Sequence, residues 1–369
     1  MVPITISIPD ALRQSVEAAT GGRNTVLYDQ KGYPSIMVVV PRFNLTDIDP
    51  KLGAGFHPAF TVNGIAKSEI FVGKFPAVVH DGAAVSLPSH DPSYSLTFDQ
   101  ARGACTTKGV GWHLMTNATW SAVALWCWRN GFLPRGNTSW GKSSDMPYET
   151  GRRADGGSPG ITSGAGRTLT GSGPTAWCHD NSSAGISDLV GNLWEWVGGL
   201  RTVAGELQVL PDNDGADGGK DQSATSALWR AISIDGALVP PASSNTLKYD
   251  SSAPGGQGMV GVPVLSTVVG NSNASGDATA GGFTSTGFEA VTTDTARVQN
   301  PPAILKTLGL FPAATSGLGG DIFQARNHGE RLPIRGGDWS SGGSAGLFAL
   351  NFNNGRTGTG FGFRPAFIL

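Results

Sequence analysis

Arg335-Gly-Gly-Asp-Trp-Ser-Ser-Gly-Gly-Ser-Ala-Gly-Leu-Phe-Ala-Leu-Asn-Phe-Asn-Asn-Gly-Arg-Thr-Gly-Thr-Gly-Phe-Gly-Phe-Arg-Pro-Ala-Phe367 mixes two populations of residues. Trp339, Leu347, Phe348, Leu350, Phe352, Phe363 and Phe367 form an apolar set. Asp338, Ser340, Ser341, Ser344, Asn351, Asn353, Asn354, Thr357 and Thr359 form a small polar one. From 348 to 353 the two alternate. Side chains of a strand point to opposite faces with period two. Phe348, Leu350 and Phe352 are therefore expected to face a core, and Asn351 and Asn353 to share the other face. Trp339 is expected to point inward between Asp338 and Ser340. The pattern describes an anchored surface that carries replaceable polar groups.

The run Arg-Gly-Gly-x-Trp, then Ala-Gly-Leu-Phe-Ala-Leu-Asn-x-Asn-Asn, then Arg and Gly-Phe-Arg-Pro-Ala-Phe resembles the variable region of diversity-generating retroelement variable proteins. Those proteins resemble C-type lectins and, more closely, the formylglycine-generating (sulfatase-modifying) enzymes. The resemblance implies that selected positions are rewritten at adenines of an Asn-rich template and displayed as a ligand-binding surface. The genetic code offers a check. An AAC codon changed only at its adenines never yields Lys, Gln, Glu, Met or Trp. Between Asp338 and Phe361 none of these occurs except Trp339, whose TGG codon has no adenine.

Composition narrows the classes. A chain of 369 residues suits one large domain, or one with a small N-terminal extension. A net charge of -2 gives no electrostatic footprint for nucleic acid. No apolar run approaches the roughly 20 residues of a membrane span. With 54 Gly and 23 Pro, about a fifth of the chain, the protein reads as loop-rich, while 39% hydrophobic residues and ten Trp keep it globular. The N-terminus lacks a basic region, and Pro9, Asp10 and Arg13 interrupt its apolar stretch, so no signal peptide is expected. Localisation stays open between cytoplasm and a phage or other particle. Cys105, Cys127 and Cys178, an odd count without CxxC spacing, fit reduced thiols better than a disulfide framework.

Along the chain, Ile4, Ile6 and Ile8 alternate as a short strand, and Pro9-Asp10 opens a helix ending at Gly21-Gly22. Thr25 to Tyr28 and Ser35 to Val40 read as a hairpin. This β-α-β-β unit, residues 1–54, is expected to be an accessory layer or docking module. A helix start follows at Leu96-Thr97, with Thr97 as N-cap, and a second helix is expected from Ser121 to Asn130. Gly185-Ile-Ser-Asp-Leu-Val-Gly-Asn-Leu-Trp-Glu-Trp196 resembles the sulfatase-modifying family signature Gly-Asn-x-Trp-Glu-Trp. The family's second helix opens R-L-P-T-x-x-E-W; here His113, Met115 and Thr119 replace its Arg, Pro and Glu. The fold class implied is α+β, a C-type lectin-like fold of the formylglycine-generating enzyme type over 55–369. Residues 201–330 read as a long irregular insertion, with a short strand at Val262 to Val269 and a helix near Ala303 to Leu308. Padding of the scaffold is the favoured role for it, bordering of the binding face the alternative.

The family resemblance implies a calcium site in some relatives. Asp188, Asn192 and Glu195 would supply its oxygens, though a hydrogen-bonded structural turn is favoured. Asp212-Asn-Asp-Gly-Ala-Asp217 lacks the later Glu of an EF-hand and reads as a solvated turn. His57, His80, His90, His113, His179 and His328 show no HxxH or HxxxH pair, and no phosphate loop precedes a strand–helix pattern. Cys127, between Trp126 and Trp128, reads as a small core residue.

The sulfatase-modifying enzymes need a cysteine pair in the segment equivalent to 335–367, and this chain has none there. The expectation is therefore a binder without cofactor, not an enzyme; a sulfatase-modifying-type oxidoreductase and a purely structural phage or particle protein are the alternatives. The expected contact set is Asp338, Ser340, Ser341, Gly343, Ser344, Asn351, Asn353, Asn354, Gly358, Thr359, Gly360 and Phe361. The resemblance places Thr357 where relatives keep a small hydroxyl residue. Arg335, Gly336, Gly337, Trp339, Phe348, Leu350, Phe352, Arg356, Phe363 and Arg364 are expected to form the scaffold, the arginines tying carbonyls or carboxylates in forks. Such a face suits a protein or cell-surface ligand. With Phe361 as the one large anchor, single-copy binding is expected to be weak, and display in several copies would compensate by avidity.

Overall fold

The computed structural model describes residues 10–274 and 281–369. The strand expected at Ile4 to Ile8 lies outside the described residues. The architecture is mixed α+β, with more strand than helix, built on one five-stranded and one larger sheet.

The five-stranded sheet runs Asn24–Tyr28, Pro34–Pro41, Glu69–Gly73, Pro365–Phe367 and Trp112–Leu114, antiparallel throughout. This corrects the picture of residues 1–54 as an appended unit. The strand Pro34–Pro41 pairs with Glu69–Gly73 and buries both faces, Met37 against Phe71 and Trp112 on one and Val38 and Val40 in the main core on the other. The N-terminal hairpin is thus one side of a sheet in which one of the three interior strands comes from the C-terminal end. The helix Ala11–Thr20 stands outside that core. Asp10 caps it by accepting from Arg13 N at 3.0 Å and Gly21 closes it at φ 59°, but it buries no residue.

The larger sheet runs Thr284–Gly287, Ile322–Ala325, Gly346–Asn354, Glu330–Gly336, Leu200–Val203 and Glu206–Val209, continuing through Lys248–Ser251 and Pro263–Ser266 to Thr292–Thr293. The short strand Glu195–Trp196 also pairs with Glu330–Gly336. Residues 201–330 are therefore not padding: they supply strands on both sides of the pair 330–336 and 346–354. The strand at Pro263–Ser266 and the helix Ala303–Thr307 fall where the sequence placed them.

Phe348, Leu350 and Phe352 are fully buried. Phe348 stacks on Phe288 with ring centres 5.7 Å apart, and Tyr249 meets both Phe323 and Phe352, at 4.9 and 6.0 Å. Thr97 caps the helix Phe98–Thr106 in a reciprocal box with Gln100. The helix Asn117–Arg129 begins at Asn117 rather than Ser121, because Thr116 accepts from Thr119 N at 3.1 Å and serves as its cap. Its Trp120 ties helix to sheet, with Nε1 donating to Leu347 O at 2.8 Å. Among the described residues no helix is long and apolar enough to cross a membrane.

Candidate ligand-binding face

The frame of the C-terminal stretch is held by its arginines. Arg335 is buried and donates to Asn117 Oδ1 at 3.1 and 2.6 Å and to Gly309 O at 3.0 Å. Burial pushes its guanidinium down to about 9, with Tyr249 and Asp321 opposing the shift. Arg364, also buried, forks onto Glu195 and donates to Gly73 O at 2.9 Å and Ser187 O at 3.1 Å. Arg356 reaches Asp99 at 2.7 Å, Glu330 at 2.9 Å and Gln222 O at 3.0 Å. Gly336 and Gly337 adopt φ 94° and 90°, and a Cβ on Gly336 would stand 2.4 Å from Leu189 O. Close backbone approach at a left-handed turn requires glycine there. Phe363 is buried with Trp196 and Ile334.

The candidate contact residues divide into three groups. The first is the loop joining 330–336 to 346–354. Its Asp338 Oδ1 accepts from Ser340 N, Ser340 Oγ and Ser341 Oγ at 2.9 to 3.0 Å, while Asp338 N donates to Ser341 Oγ. Asp338 and Ser341 are thus bonds within the loop, half-buried, whereas Ser340 and Gly343 are exposed and Ser344 half-exposed. Gly343 has nothing within 4 Å of an added Cβ.

The second group lies on the central strand. Asn351 and Asn353 share a face as alternation predicts, but Asn351 is 8% exposed. Both donate to Gln324 Oε1, at 2.9 and 3.1 Å, and Asn353 N donates to Asn351 Oδ1 at 2.7 Å. The expectation of an open polar face fails here for a simple reason: strand 346–354 has neighbours on both edges and Gln324 lies directly against its polar face. Asn354 is half-buried opposite Leu332.

The third group follows the strand. Thr359 and Gly360 are exposed, as is Thr357, which stands outside the expected contact set. Gly358 is confined, with a Cβ there 3.3 Å from Phe361 and 3.4 Å from Asn354 Cβ. Phe361 is not an outward anchor. Its ring meets the buried Trp196 edge-on, 4.9 Å between centres, at the margin of the core. The first and third groups flank one segment: Trp339 N donates to Asn192 O at 3.2 Å and Gly362 N to Trp194 O at 2.7 Å.

Trp339 does not enter the core. It is half-buried, over Gly166 beside Trp140; a Cβ on Gly166 would stand 2.4 Å from Trp339 Cδ1 and 2.7 Å from Trp140 Cδ1. The sequence reading missed this neighbouring loop, 138–167, altogether. Trp140 N donates to Trp339 O at 2.8 Å and Gly342 N to Thr138 O at 2.9 Å. Arg167, next to Gly166, lies over the Tyr94 ring at 4.1 Å, and Tyr94 O accepts from Gly360 N. A Trp in a Gly- and Ser-rich run was the available signal.

The calcium candidates are engaged within the protein. Both Glu195 oxygens go to Arg364. Asn192 Oδ1 accepts from Thr168 N at 2.7 Å and Asn137 Nδ2 at 3.2 Å, holding the 137–168 loop. Asp188 accepts from Gly171 N at 2.7 Å, and burial pushes its carboxyl up to about 6. Among the described residues no group of three or more His, Cys, Asp or Glu could hold a metal ion. Cys127 is a buried core residue, and burial raises the thiols of all three cysteines. No protein-family model matches the chain, and no curated protein matches it.

Proposed function

We propose that the protein is a non-catalytic ligand-binding protein on a C-type lectin-like frame of the formylglycine-generating enzyme type. Its stretch 338–361 is diversified by adenine-directed mutagenesis and presents changeable side chains to a protein or cell-surface ligand. The observation that carries this reading is the division of labour within the stretch. Arg335, Arg356, Arg364, Asn351 and Phe361 spend their contacts inside the frame, while Ser340, Gly343, Thr359 and Gly360 are left exposed beside one segment. A non-catalytic role is supported by the missing cysteines of 335–367 and by the burial of the three thiols elsewhere.

The test is a library in which Ser340, Gly343, Ser344 and Thr359 are varied with adenine-substituted AAC codons. Most members should keep one cooperative thermal transition near that of the parent. The source DNA should also hold a near-identical copy of the 338–361 coding stretch, differing only at adenines, beside a reverse transcriptase gene. Widespread misfolding of the library, together with no such copy, would leave a purely structural role.

A further inference from the structure

The strand Pro34–Pro41 outruns its N-terminal partner. Asn24, where the strand Asn24–Tyr28 begins, stands opposite Val38, and Val39 N still donates to Arg23 O at 2.9 Å. Pro41, the next residue to face that edge, has no N–H to leave unpaired. A cleft of about 320 Å³ opens here, within the range of small-molecule sites. Val38 and Val40 wall it on the strand side. Val123 and Trp126, one turn apart on the helix Asn117–Arg129, wall it on the other, with Phe43 and His179 beside them. Its lining lies wholly outside 338–361.

The polar groups that meet this cleft are unequal. Asp180 is spent: Oδ1 accepts from Ser182 N at 3.0 Å and Ser182 Oγ at 2.9 Å, and Oδ2 accepts from Arg23 Nη1 at 3.3 Å. His179 has a donor to spare. Its Nδ1 accepts from Ile186 N at 2.8 Å, so the neutral ring carries its proton on Nε2. The ring is 9% exposed, and burial holds its pKa below the usual value. Nε2 meets no acceptor among the described residues, yet it is not sealed off. Arg42, exposed at the rim, lies over the Phe56 ring at 3.9 Å and forms no ion pair among the described residues. Lys74, whose charge reaches His179, donates to Ser183 O and Gly185 O and adds to the positive field. What the cleft leaves unpaired are donors, one neutral and one cationic.

We infer that this cleft binds a small apolar monocarboxylate, its hydrocarbon body between helix and strand and its oxygens served by His179 Nε2–H and the Arg42 guanidinium. A cation finds no carboxylate oxygen free there, since Asp180 is engaged on both. A sugar would bury hydroxyls against Val38, Val40 and Val123 without partners. A polyphosphate would bring several charges to a single unpaired guanidinium. One apolar body with one negative charge matches the walls and the donors together.

Isothermal titration of octanoate and of octanol into the full wild-type chain, Val123→Phe and Arg42→Gln tests this. Expected is one octanoate per chain, held at least about fivefold more tightly than octanol. Val123→Phe fills the cleft and should abolish octanoate binding while keeping a cooperative thermal transition. Arg42→Gln, on the surface, should bring octanoate to the level of octanol and leave octanol unchanged. No saturable octanoate binding to the wild type, or octanol bound as tightly as octanoate, overturns the proposal. So does an Arg42→Gln variant that binds octanoate undiminished, and that comparison decides the matter if Val123→Phe does not fold.

Discussion

Arg364 closes on Glu195 through both Nε and Nη2, at 2.9 and 2.5 Å, with neither side chain more than 2% exposed. The pair clamps the start of the last strand to the Trp194–Trp196 segment that supports the exposed loops. Removing one partner of a buried ion pair strands the other's charge, at about 3–5 kcal/mol. Arg364→Met and Glu195→Gln should each lower the urea midpoint accordingly. The double variant should lose less than the sum, and strict additivity would show the pair to be uncoupled.

Glycines of the stretch 338–361 are expected to differ in tolerance. Gly343 is open and needs no left-handed backbone, so Gly343→Tyr should stay within about 0.5 kcal/mol of the parent. Gly360 is equally open but sits at φ 92°. Gly360→Ala should cost about 1–2 kcal/mol from backbone strain alone. Thermal unfolding of the two variants decides it, and equal losses would contradict the argument.

Asn351 behaves as part of the frame. Asn351→Ala removes its bonds to Gln324 and to Asn353 N, a loss of about 1–3 kcal/mol. Ser340→Ala, on an exposed loop, should fall within about 0.5 kcal/mol. A denaturant series comparing the two checks this, and a neutral Asn351→Ala would return that residue to the changeable set.

Stability should depend on pH through buried acids and imidazoles of opposite sign. Burial pushes the Asp321 carboxyl up to about 8, although Phe348 N donates to it at 2.7 Å. Its folded pKa exceeds the unfolded value of roughly 3.9, so the fold keeps a proton that the unfolded chain has lost, and stability falls as pH rises to about 8. His57 and His113 are pushed down to about 4 by burial. They weaken the fold as pH drops below roughly 6.5. A maximum near neutrality is expected, and Asp321→Asn should remove the decline from about pH 7 to 8 while leaving the acid limb. An unchanged decline in that variant would assign it to other groups.

Local features were legible in the sequence and long-range pairings were not. Thr97 with Gln100 announces a capped helix, and the Phe348–Leu350–Phe352 alternation announces a core-facing strand, because both signals lie within a few residues. The placement of the hairpin 24–41 and the C-terminal strand on the two edges of Glu69–Gly73 has no local signal, since Met37 meets Gly73 and Phe71 meets Phe367 only in the fold. Thr284–Gly287, all small or polar, shows no apolar period, yet it pairs with Ile322–Ala325 two strands from the candidate face. Alternation gave the side of Asn351 correctly but not its burial, which depends on Gln324 arriving from the insertion.

Pro365–Phe367 lies between Glu69–Gly73 and Trp112–Leu114. During synthesis that gap in the sheet stays open until residues 338–361 have been made. A variant in which translation stops early within 338–361 therefore cannot seal its first sheet, and would be left with two bare strand edges for proteases and chaperones to recognise. The position of this strand makes completion of the stretch 338–361 a condition for reaching the native state.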